Sequence, residues 1–505
     1  MWLSLICPVV FTQTAPSPTE LLVLPSVGSG GRVPVVRDAI AHLMATGKFA
    51  TPKAGDSVTL PNLPAAQWRV LKPGADGAFS DRATSGTCYW SYTSPSDTTM
   101  MLEAAGHGMV YVNGEPRMGD IYDAGYVKIP VRLRRGQNDL VFCGSRGRVR
   151  MRLVPLSHDT FIQTDDPTLP DVVVGATQPS TKAGIIVTNA TSSVFEGTLE
   201  LTSSGKSASA PVRITPFANR KVPANLPALT ATAPGKIEVI AILKSRTGQE
   251  LHRQSFTLEA KAPSDPYRVT FVSKVDNSVQ YYAVRPAWPA LNSARPAALV
   301  LSVHGASVEA IGQAGAYGPK TWCNIVCPTN RRPYGFDWED WGRLDAMEVL
   351  AEGKERFRPS PDQIYLTGHS MGGHGTWYLG ATYPDQFAAI GPAAGWITFW
   401  SYGGAATFQN PNPLEAMLLR ATNVSDTLHL LPNYAQQGVF ILHGDADHAA
   451  RRAQGRAAAG RGARDPARAG DARARSRSAG RSDRQPRPAF RAGGRGSRRV
   501  ARRRR

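Results

Sequence analysis

Short apolar runs separated by turn residues follow one another at even spacing between residues 50 and 157, and again between residues 165 and 262. Asn113-Gly114, between two of these runs, is a pair favoured in tight hairpins. Regularly spaced short strands are typical of a β-sandwich, so the sequence predicts two β-sandwich domains joined by a linker near residues 158–170. The predicted strands are 100–102, 109–112, 127–131, 140–143 and 149–153 in the first domain, and 172–174, 184–187, 198–201, 212–214, 237–243 and 255–258 in the second.

The pattern changes near residue 265, where continuous apolar runs begin to alternate with segments of helical period. Strands that are apolar throughout are buried on both faces, as in a parallel sheet covered by helices. The sequence therefore predicts an α/β domain with a doubly wound, mostly parallel sheet over residues 268–448. The predicted strands are 298–303, 324–327, 364–367, 388–390 and 439–442.

The longest helix of this domain is predicted from residue 338 to residue 357. Asp337 stands at the N-cap position, and Asp340 follows three residues later. The face that we expect to be buried consists of Trp341, Leu344, Met347 and Ala351.

The formal charge of +19 is concentrated in one segment. Residues 449–505 contain 20 Arg and 3 Asp, whereas the rest of the chain has 38 basic and 36 acidic side chains. The body of the protein is therefore close to neutral, and no nucleic-acid partner is expected for it. The segment has one Phe and no Ile, Leu, Met, Trp or Tyr, so we expect a disordered basic tail.

The first 15 residues have the pattern of a signal peptide, because an apolar core runs from Met1 to Phe11. That core is too short for a membrane span, and no other apolar run approaches the length of a membrane helix. We therefore expect an exported protein, secreted or periplasmic, without a membrane span.

The cysteines do not form a disulfide scaffold in a chain of this length. Cys88 and Cys143 could pair in an exported protein. Cys323 and Cys327 lie on one predicted strand, about 13 Å apart, which is too far for a disulfide. The histidines and cysteines lack metal-ligand spacing, so no metal or other cofactor is expected.

The segment Gly368-His369-Ser370-Met371-Gly372 matches the pattern G-x-S-x-G. It follows the predicted strand 364–367 and precedes residues 371–382, which can be helical. A serine between a strand and a helix is typical of a nucleophile elbow, where side chains on the flanking glycines would clash. The backbone of the serine is strained, and the helix N-terminus favours developing negative charge. We therefore predict that Ser370 is a nucleophile, on an elbow formed with Gly368, His369 and Gly372.

An oxyanion hole requires two backbone N–H donors in fixed positions. One candidate is the N–H of Met371, directly after the nucleophile. The other is the N–H of Ala306, in the loop that follows the predicted strand 298–303. We interpret His304, in the same loop, as a structural histidine.

A candidate acid follows the predicted strand 439–442. His443-Gly444-Asp445-Ala446-Asp447 contains two aspartates, and the chain order of serine before acid is that of α/β-hydrolases.

The motif 368–373, taken together with the motif 443–447, resembles the prolyl oligopeptidase family and related secreted esterases. The segments 328–333 and 337–341 are similar to those of large bacterial hydrolases of this group. The resemblance covers about residues 268–448 and implies the α/β-hydrolase fold and a peptide or ester substrate. It also assigns the acid to Asp447, with Asp445 as the fallback.

The predicted function is peptide-bond cleavage through an acyl-enzyme. The alternatives are a carboxylesterase or polysaccharide-ester esterase on the same fold, and a non-catalytic binding protein. By pattern alone the two β domains resemble a jelly-roll carbohydrate module and an immunoglobulin-like domain. The first likeness implies a carbohydrate contact, and the alternative is that both domains are structural spacers.

The family has a catalytic histidine after the acid, and no histidine follows His448 in this chain. We do not expect His369, His374, His443 or His448 to replace it. Loss of a triad member typically lowers the rate on the order of 10⁴-fold, so we expect weak activity or none.

The composition changes directly after Asp447, which suggests a shift of reading frame, since GC-rich codons read out of frame encode mainly Arg, Ala, Gly and Pro. A frame-shifted chain would lack the last strand of the sheet, and apolar side chains on the neighbouring strands would be exposed. The alternative is a genuine basic tail that binds nucleic acid or acidic polymers.

Translation of the two other frames after codon 447 tests the frame-shift hypothesis. One frame is expected to encode a Val-Pro-like turn, then a histidine flanked by Asp or Gly within a few dozen residues. The hypothesis is wrong if neither frame does. Salt-dependent binding to nucleic acid that disappears when residues 449–505 are deleted would support the basic tail instead.

Overall fold

The computed structural model describes residues 15–29, 37–59, 64–176, 181–290, 296–331, 335, 337–398, 410–421 and 426–444. All of them belong to one compact part of the chain, Met1–Ala453. The Arg-rich segment 449–505 and all but the last residue of the predicted signal peptide lie outside the described residues.

Two antiparallel sheets in the first β region share one hydrophobic core. The strands are β1 (Leu21–Leu24), β2 (Gly28–Ser29), β3 (Arg37–Asp38), β4 (Ser57–Val58), β5 (Ala66–Gln67), β6 (Arg69–Leu71), β7 (Phe79–Ser80), β8 (Thr87–Ser94), β9 (Thr98–Ala105), β10 (His107–Val112), β11 (Glu115–Asp120), β12 (Lys128–Leu133), β13 (Gly136–Cys143) and β14 (Arg148–Pro155), with helix α1 at Ala39–Ala45. One sheet has the order β11-β10-β13-β8-β1-β6 and the other β12-β9-β14-β7. Inward-facing residues of both sheets, such as Leu102 and Phe142, form a single buried cluster.

The five strands predicted in this region are all present, and each is longer than its apolar run. The hairpin at Asn113-Gly114 is confirmed, since both residues have positive φ, 52° and 86°, between the paired strands β10 and β11. The predicted start at residue 50 is too late, because β1 pairs with β6 and β8 inside the larger sheet.

Cys88 and Cys143, which could pair in an exported protein, do not form a disulfide. Cys88 lies opposite Phe142 in the register of β8 and β13, so Cys143, one residue later, faces the other side of the sheet. Both cysteines are free, and burial raises the pKa of each thiol to about 12.

The second β region also consists of two sheets around one core. Its strands are β15 (Thr160–Thr168), β16 (Val172–Val173), β17 (Thr181–Asn189), β18 (Phe195–Ser203), β19 (Lys206–Ile214), β20 (Ala218–Leu226), β21 (Gly235–Ser245) and β22 (Glu250–Lys261). The sheets have the orders β15-β17-β20 and β16-β22-β21-β18-β19, and their inner residues form one cluster. The predicted linker near residues 158–170 is wrong, because β15 occupies most of it. The jelly-roll and immunoglobulin likenesses stay predictions.

The C-terminal region contains one seven-stranded sheet. Its strands are β23 (Tyr267–Val272), β24 (Val279–Arg285), β25 (Ala298–Val303), β26 (Cys323–Cys327), β27 (Ile364–His369), β28 (Ala389–Ala393) and β29 (Gly438–Val439), and its helices are α2 (Ala310–Gly315), α3 (Asp340–Phe357), α4 (Met371–Thr382) and α5 (Pro413–Ala421). The order is β23-β24-β26-β25-β27-β28-β29. The five neighbouring strands β26, β25, β27, β28 and β29 run parallel, as predicted.

Helices cover both faces of this sheet. Leu299 and Leu301 of β25 belong to a cluster with residues of α3 and α4, whereas Ala298 and Val300 belong to a cluster with α2. Alternate residues of one strand therefore pack against different helices, which explains why the strand is apolar throughout. No helix in the described ranges has the length and hydropathy of a membrane span.

Helix α3 begins later than predicted. Glu339 is its N-cap residue, while Asp337 and Trp338 have left-handed φ of 53° and 67°, so Asp337 is not the cap. The predicted buried face is also wrong, since the side chain of Trp341 is 37% exposed. The residues that are buried are Gly342, Asp345, Ala346, Val349, Leu350 and Gly353.

The buried face of α3 is not an apolar stripe in the sequence, because it includes the carboxylate of Asp345. Asp345 is fully buried, 3.2 Å from the Thr329 hydroxyl that donates to it and 3.5 Å from Nε of Arg331. Burial raises the pKa of Asp345 to about 6, against the opposing effect of Arg331. Because a charged residue lies on the side of the helix that faces the core, the apolar periodicity of the sequence does not predict the buried face.

Strand β29 lies at the end of the sheet, and its backbone pairing continues to Leu442. Its apolar residues were predicted to be buried on both faces, but Val439, Phe440, Ile441 and Leu442 are exposed, Phe440 by 71%. Exposed apolar side chains at this place are what the frame-shift hypothesis expects.

His107, at the start of β10, is a buried titratable group outside the C-terminal region. Its side chain is 1% exposed, packs edge-on against Phe142, and has no hydrogen-bond partner for either ring nitrogen among the described residues. Burial lowers the pKa of His107 to about 4, against a weaker opposing effect of Asp120.

The depressed pKa of His107 predicts a stability that falls in mild acid. Above pH of about 6.5 the imidazole is neutral in both the folded and unfolded states, whereas at lower pH only the unfolded state gains the proton until the folded pKa is reached. The free energy of unfolding should therefore decrease by about 2 kcal/mol between pH 7.5 and pH 5.0 on account of this residue. Urea unfolding of wild type and His107→Leu at both pH values measures it.

The control is His42→Gln, since His42 is exposed on α1. This variant should keep the wild-type pH dependence, while His107→Leu should lose about 2 kcal/mol of it. Equal pH dependence in wild type and His107→Leu would contradict the assignment.

Candidate active site

Ser370 lies between β27 and α4, at the carboxyl end of the parallel strands. Its backbone has φ 58° and ψ −117°, a combination that residues other than glycine rarely adopt. Such a conformation costs on the order of 1–3 kcal/mol and persists only where the surroundings impose it. Here the Ser370 N–H donates to the Ala393 carbonyl at 2.9 Å, and the Ser370 carbonyl accepts from the His374 N–H at 3.1 Å.

The two glycines of the motif have no room for a side chain. A Cβ on Gly372 would lie 2.0 Å from the Val303 carbonyl oxygen, and a Cβ on Gly368 would lie 2.4 Å from the Gly372 carbonyl oxygen. The backbones of β25, β27 and α4 are therefore in direct contact at this point. This contact is the physical reason for the glycines on both sides of Ser370.

The first turn of α4 is enclosed on its other side by the loop after β28. A Cβ on Gly373 would lie 2.3 Å from the Ala393 carbonyl oxygen, and a Cβ on Gly395 would lie 2.2 Å from the Gly373 carbonyl carbon. Ala394, between these contacts, has a left-handed φ of 47°. Ser370 is thus fixed between two close backbone approaches, and neither Gly373 nor Gly395 was singled out from the sequence.

Met371 and Gly305, the residue before Ala306, lie beside Ser370. Met371 is the first residue of α4, and the first N–H groups of a helix have no acceptor within it. Ala306 follows Gly305, and a Cβ added to Gly305 would lie 3.7 Å from Cβ of Ser370 and 3.2 Å from the His369 carbonyl oxygen. The loop after β25 therefore lies against the elbow. The N-terminal end of the α4 dipole provides a positive potential at this end of the sheet, and the N–H groups of Met371 and Ala306 stay the predicted oxyanion donors.

Two buried histidines near the elbow have their ring nitrogens engaged by other groups. His304 Nδ1 is 2.8 Å from the Gly305 carbonyl oxygen, and Nε2 is 3.0 Å from the Thr329 carbonyl oxygen. His374 Nε2 is 2.8 Å from Glu339 Oε1, and Nδ1 is 3.1 Å from the Trp396 carbonyl oxygen. None of these contacts is to Ser370. Burial lowers the pKa of His304.

The candidate acids Asp445 and Asp447 lie outside the described residues, as does His448. The backbone that leads to them is described. The Leu442 N–H donates to the Pro392 carbonyl, and the Leu442 carbonyl accepts from the Ala394 N–H. The Ser370 N–H donates to Ala393, and Ala393 pairs with Leu442. The segment that leads to the acids therefore ends at the same carboxyl end of the sheet as the elbow, two strands away.

Groups that could hold a metal ion are absent from the described residues. The loop between β26 and α3 carries the site residues that the sequence did not reveal. Trp338 and Glu339 contact the loop after β25 and helix α4, respectively. The sequence placed both inside a regular helix, and no local pattern indicates the left-handed backbone that removes them from it.

Comparison with known proteins associates this region with ester hydrolysis. Residues 339–470 match the family model described as "Putative esterase". The matched range contains Ser370 and continues beyond His448, so it does not end where the composition changes. The match and the observed sheet support the α/β-hydrolase fold for the C-terminal region. The prolyl oligopeptidase type stays a prediction.

Two curated relatives match shorter stretches. "Putative esterase NocK" of Nocardia uniformis subsp. tsuyamanensis is 33% identical over 126 residues, which cover 22% of this chain and 36% of that protein. An "Uncharacterized secreted protein" of Arthroderma benhamiae is 28% identical over 166 residues, which cover 30% of this chain and 18% of that protein. The chain thus spans well under two thirds of the length of either relative.

Solved structures with low similarity include two serine hydrolases. The fluorophosphonate-binding serine hydrolase FphF of Staphylococcus aureus has a TM-score of 0.29 at 16% identity, covering 36% of this chain and 80% of that one. The S-formylglutathione hydrolase of Agrobacterium tumefaciens has a TM-score of 0.28 at 18% identity, covering 37% and 78%.

The close contact at Gly372 predicts that even a methyl group there disrupts the elbow. Gly372→Ala should lower the free energy of unfolding by about 1–3 kcal/mol or more, because its Cβ would overlap the Val303 carbonyl and force the backbone apart. Gly315→Ala is the matched control, since no atom lies within 4 Å of its added Cβ. Urea unfolding followed by tryptophan fluorescence measures both. Equal midpoints for the two variants would contradict the contact.

Proposed function

We propose that the chain is a serine esterase that cleaves a carboxylic ester through an acyl-enzyme on Ser370. The observation that carries the proposal is the left-handed backbone of Ser370 between β27 and α4, beside two candidate oxyanion donors. The family match favours an ester over a peptide bond as the substrate, because the matched family is described as an esterase.

The proposed reaction has two stages. Oγ of Ser370 forms a bond to the ester carbonyl carbon, and the N–H groups of Met371 and Ala306 stabilise the negative charge on the carbonyl oxygen. The C–O bond to the alcohol then breaks, and the alcohol leaves with the proton taken from Ser370. Water attacks the acyl-enzyme in the same way, which releases the acid and restores the serine.

The proton of Ser370 requires a base, and Asp447 is the proposed acid that orients it. The buried histidines His304 and His374 are engaged elsewhere, so the base is not assigned to either of them. Without a base, the residual acceleration of roughly 10³–10⁴-fold over water comes from the oxyanion hole and substrate binding, not from the serine. Turnover that depends on Ser370 therefore requires a base, which added imidazole can supply.

Export of the protein is part of the proposal. An apolar N-terminal run precedes the first β region, and one relative carries the name of a secreted protein. A carbohydrate contact by the first β region is a further proposal, based on its evenly spaced short strands.

Hydrolysis of p-nitrophenyl acetate and of an alanyl-prolyl p-nitroanilide by the full chain tests the proposal. With imidazole added as a base, we expect ester hydrolysis above the rate of Ser370→Ala, and anilide hydrolysis slower by at least about 10-fold, because an amide has the poorer leaving group. Added imidazole should raise the Ser370-dependent rate if the chain lacks a base, and leave it unchanged if the chain supplies one.

Ser302→Ala is the control variant, since Ser302 is a buried serine of β25 bonded to Tyr317. It should hydrolyse the ester at the wild-type rate. Equal ester hydrolysis by wild type and Ser370→Ala in the presence of imidazole would refute the nucleophile. Faster cleavage of the anilide than of the ester would point to a peptidase.

A further inference from the structure

Two adjacent side chains directly before α3 contact the two segments of the chain that carry the proposed oxyanion donors. We propose that Trp338 and Glu339 are positioning residues that hold the oxyanion loop, defined as residues 304–307, at a fixed distance from the first turn of α4. The inference rests on the proposed function, because it concerns the spacing of the Ala306 and Met371 donors.

Trp338 connects the oxyanion loop to α4. Its indole Nε1–H donates to the His304 carbonyl at 3.0 Å, and its ring packs edge-on against the His304 imidazole at 4.8 Å between centroids. On its other side, a Cβ added to Gly375 would lie 2.5 Å from the indole ring. Trp338 is fully buried, so the indole fills the space between the loop and the helix.

Glu339 connects the start of α3 to α4. Its Oε1 lies 2.8 Å from Nε2 of His374, in the first turn of α4. The His374 ring is fully buried and stacks on Trp396 at 4.9 Å, with an interplanar angle of 11°. His374 therefore transmits the contact from Glu339 to the loop after β28, directly after Ala393, whose carbonyl accepts from the Ser370 N–H.

The backbone before α3 directs these neighbouring side chains to different targets. Trp338 has φ 67°, and Asp337 and Asp340 have φ 53° and 43°. Left-handed backbone is uncommon for residues other than glycine, and especially for one as bulky as tryptophan. With this backbone, Trp338 contacts the oxyanion loop while Glu339 contacts His374.

The two contacts together determine where the oxyanion donors lie. The Ala306 N–H follows His304 by two residues, and the Met371 N–H precedes His374 by three. Both donors must be about 2.7–3.1 Å from one oxygen atom for the hole to act. A displacement of about 1 Å can cost about 100-fold in rate, so loss of the link between loop and helix should lower kcat rather than raise KM.

Three variants of the full chain test the inference. Trp338→Phe retains an aromatic ring but loses the N–H donor to His304. Glu339→Gln retains an oxygen for His374, and Glu339→Ala does not. We expect Trp338→Phe and Glu339→Ala to lower the Ser370-dependent kcat for p-nitrophenyl acetate about 10-fold with KM within about 2-fold, and Glu339→Gln to keep kcat within about 2-fold.

Hydrogen–deuterium exchange provides a readout that does not depend on catalysis. Amide exchange in residues 304–307 should become at least about 10-fold faster in Trp338→Phe and Glu339→Ala, with exchange in β8 and β13 of the first β region unchanged. Trp341→Phe is the matched control, because Trp341 is an exposed tryptophan in the first turn of the same helix. It should match wild type in both measurements.

Wild-type exchange at 304–307 in both Trp338→Phe and Glu339→Ala would overturn the inference, even if the chain hydrolyses no ester. Exchange that accelerates equally throughout the C-terminal region would also overturn it, since that result indicates general destabilisation. If Trp338→Phe fails to fold, the comparison of Glu339→Gln with Glu339→Ala decides. Failure of the proposed function alone would instead appear as absent Ser370-dependent hydrolysis with the predicted exchange pattern intact.

Discussion

The close approach of α4 to the carboxyl end of β25 is the constraint on which the rest of the candidate site depends. A glycine at 372 allows the helix backbone to reach the Val303 carbonyl, and a glycine at 368 allows the strand to turn beneath it. With the helix this close, Ser370 has to connect strand and helix through a left-handed conformation. The same proximity brings the loop after β25 against the serine, where its N–H groups can act on a bound carbonyl.

Several buried polar side chains connect the segments around this contact and add rigidity. Arg331 links the loop after β26 to Asp345 and Glu348 of α3. His304 and His374 connect loops that lie on opposite sides of the elbow. Removing one partner of such a pair leaves a buried polar group without compensation, which costs more than the pair contributes. The surroundings can therefore sustain the unfavourable backbone of Ser370.

The sequence predicted the elbow because its requirements are local. Two glycines, a serine, an apolar strand before it and a helix after it all lie within 20 residues, and β27 and α4 appear where expected. It failed where tertiary contacts decide. The buried face of α3 contains the charged Asp345, whose partner Arg331 lies on another loop. The exposure of the Phe440 side chain depends on which part of the chain packs against β29. The left-handed backbone of Trp338 depends on its contacts with His304 and Gly375.

Reaction of the full chain with a fluorophosphonate probe tests the central claim most directly, because the probe requires an activated serine beside oxyanion donors. Tandem mass spectrometry of the digested protein identifies the labelled residue. The account predicts an adduct on Ser370, and none at any site in Ser370→Ala. A folded chain that carries the adduct on another serine, or that carries none even with imidazole added as a base, would contradict the assignment of Ser370 as the nucleophile.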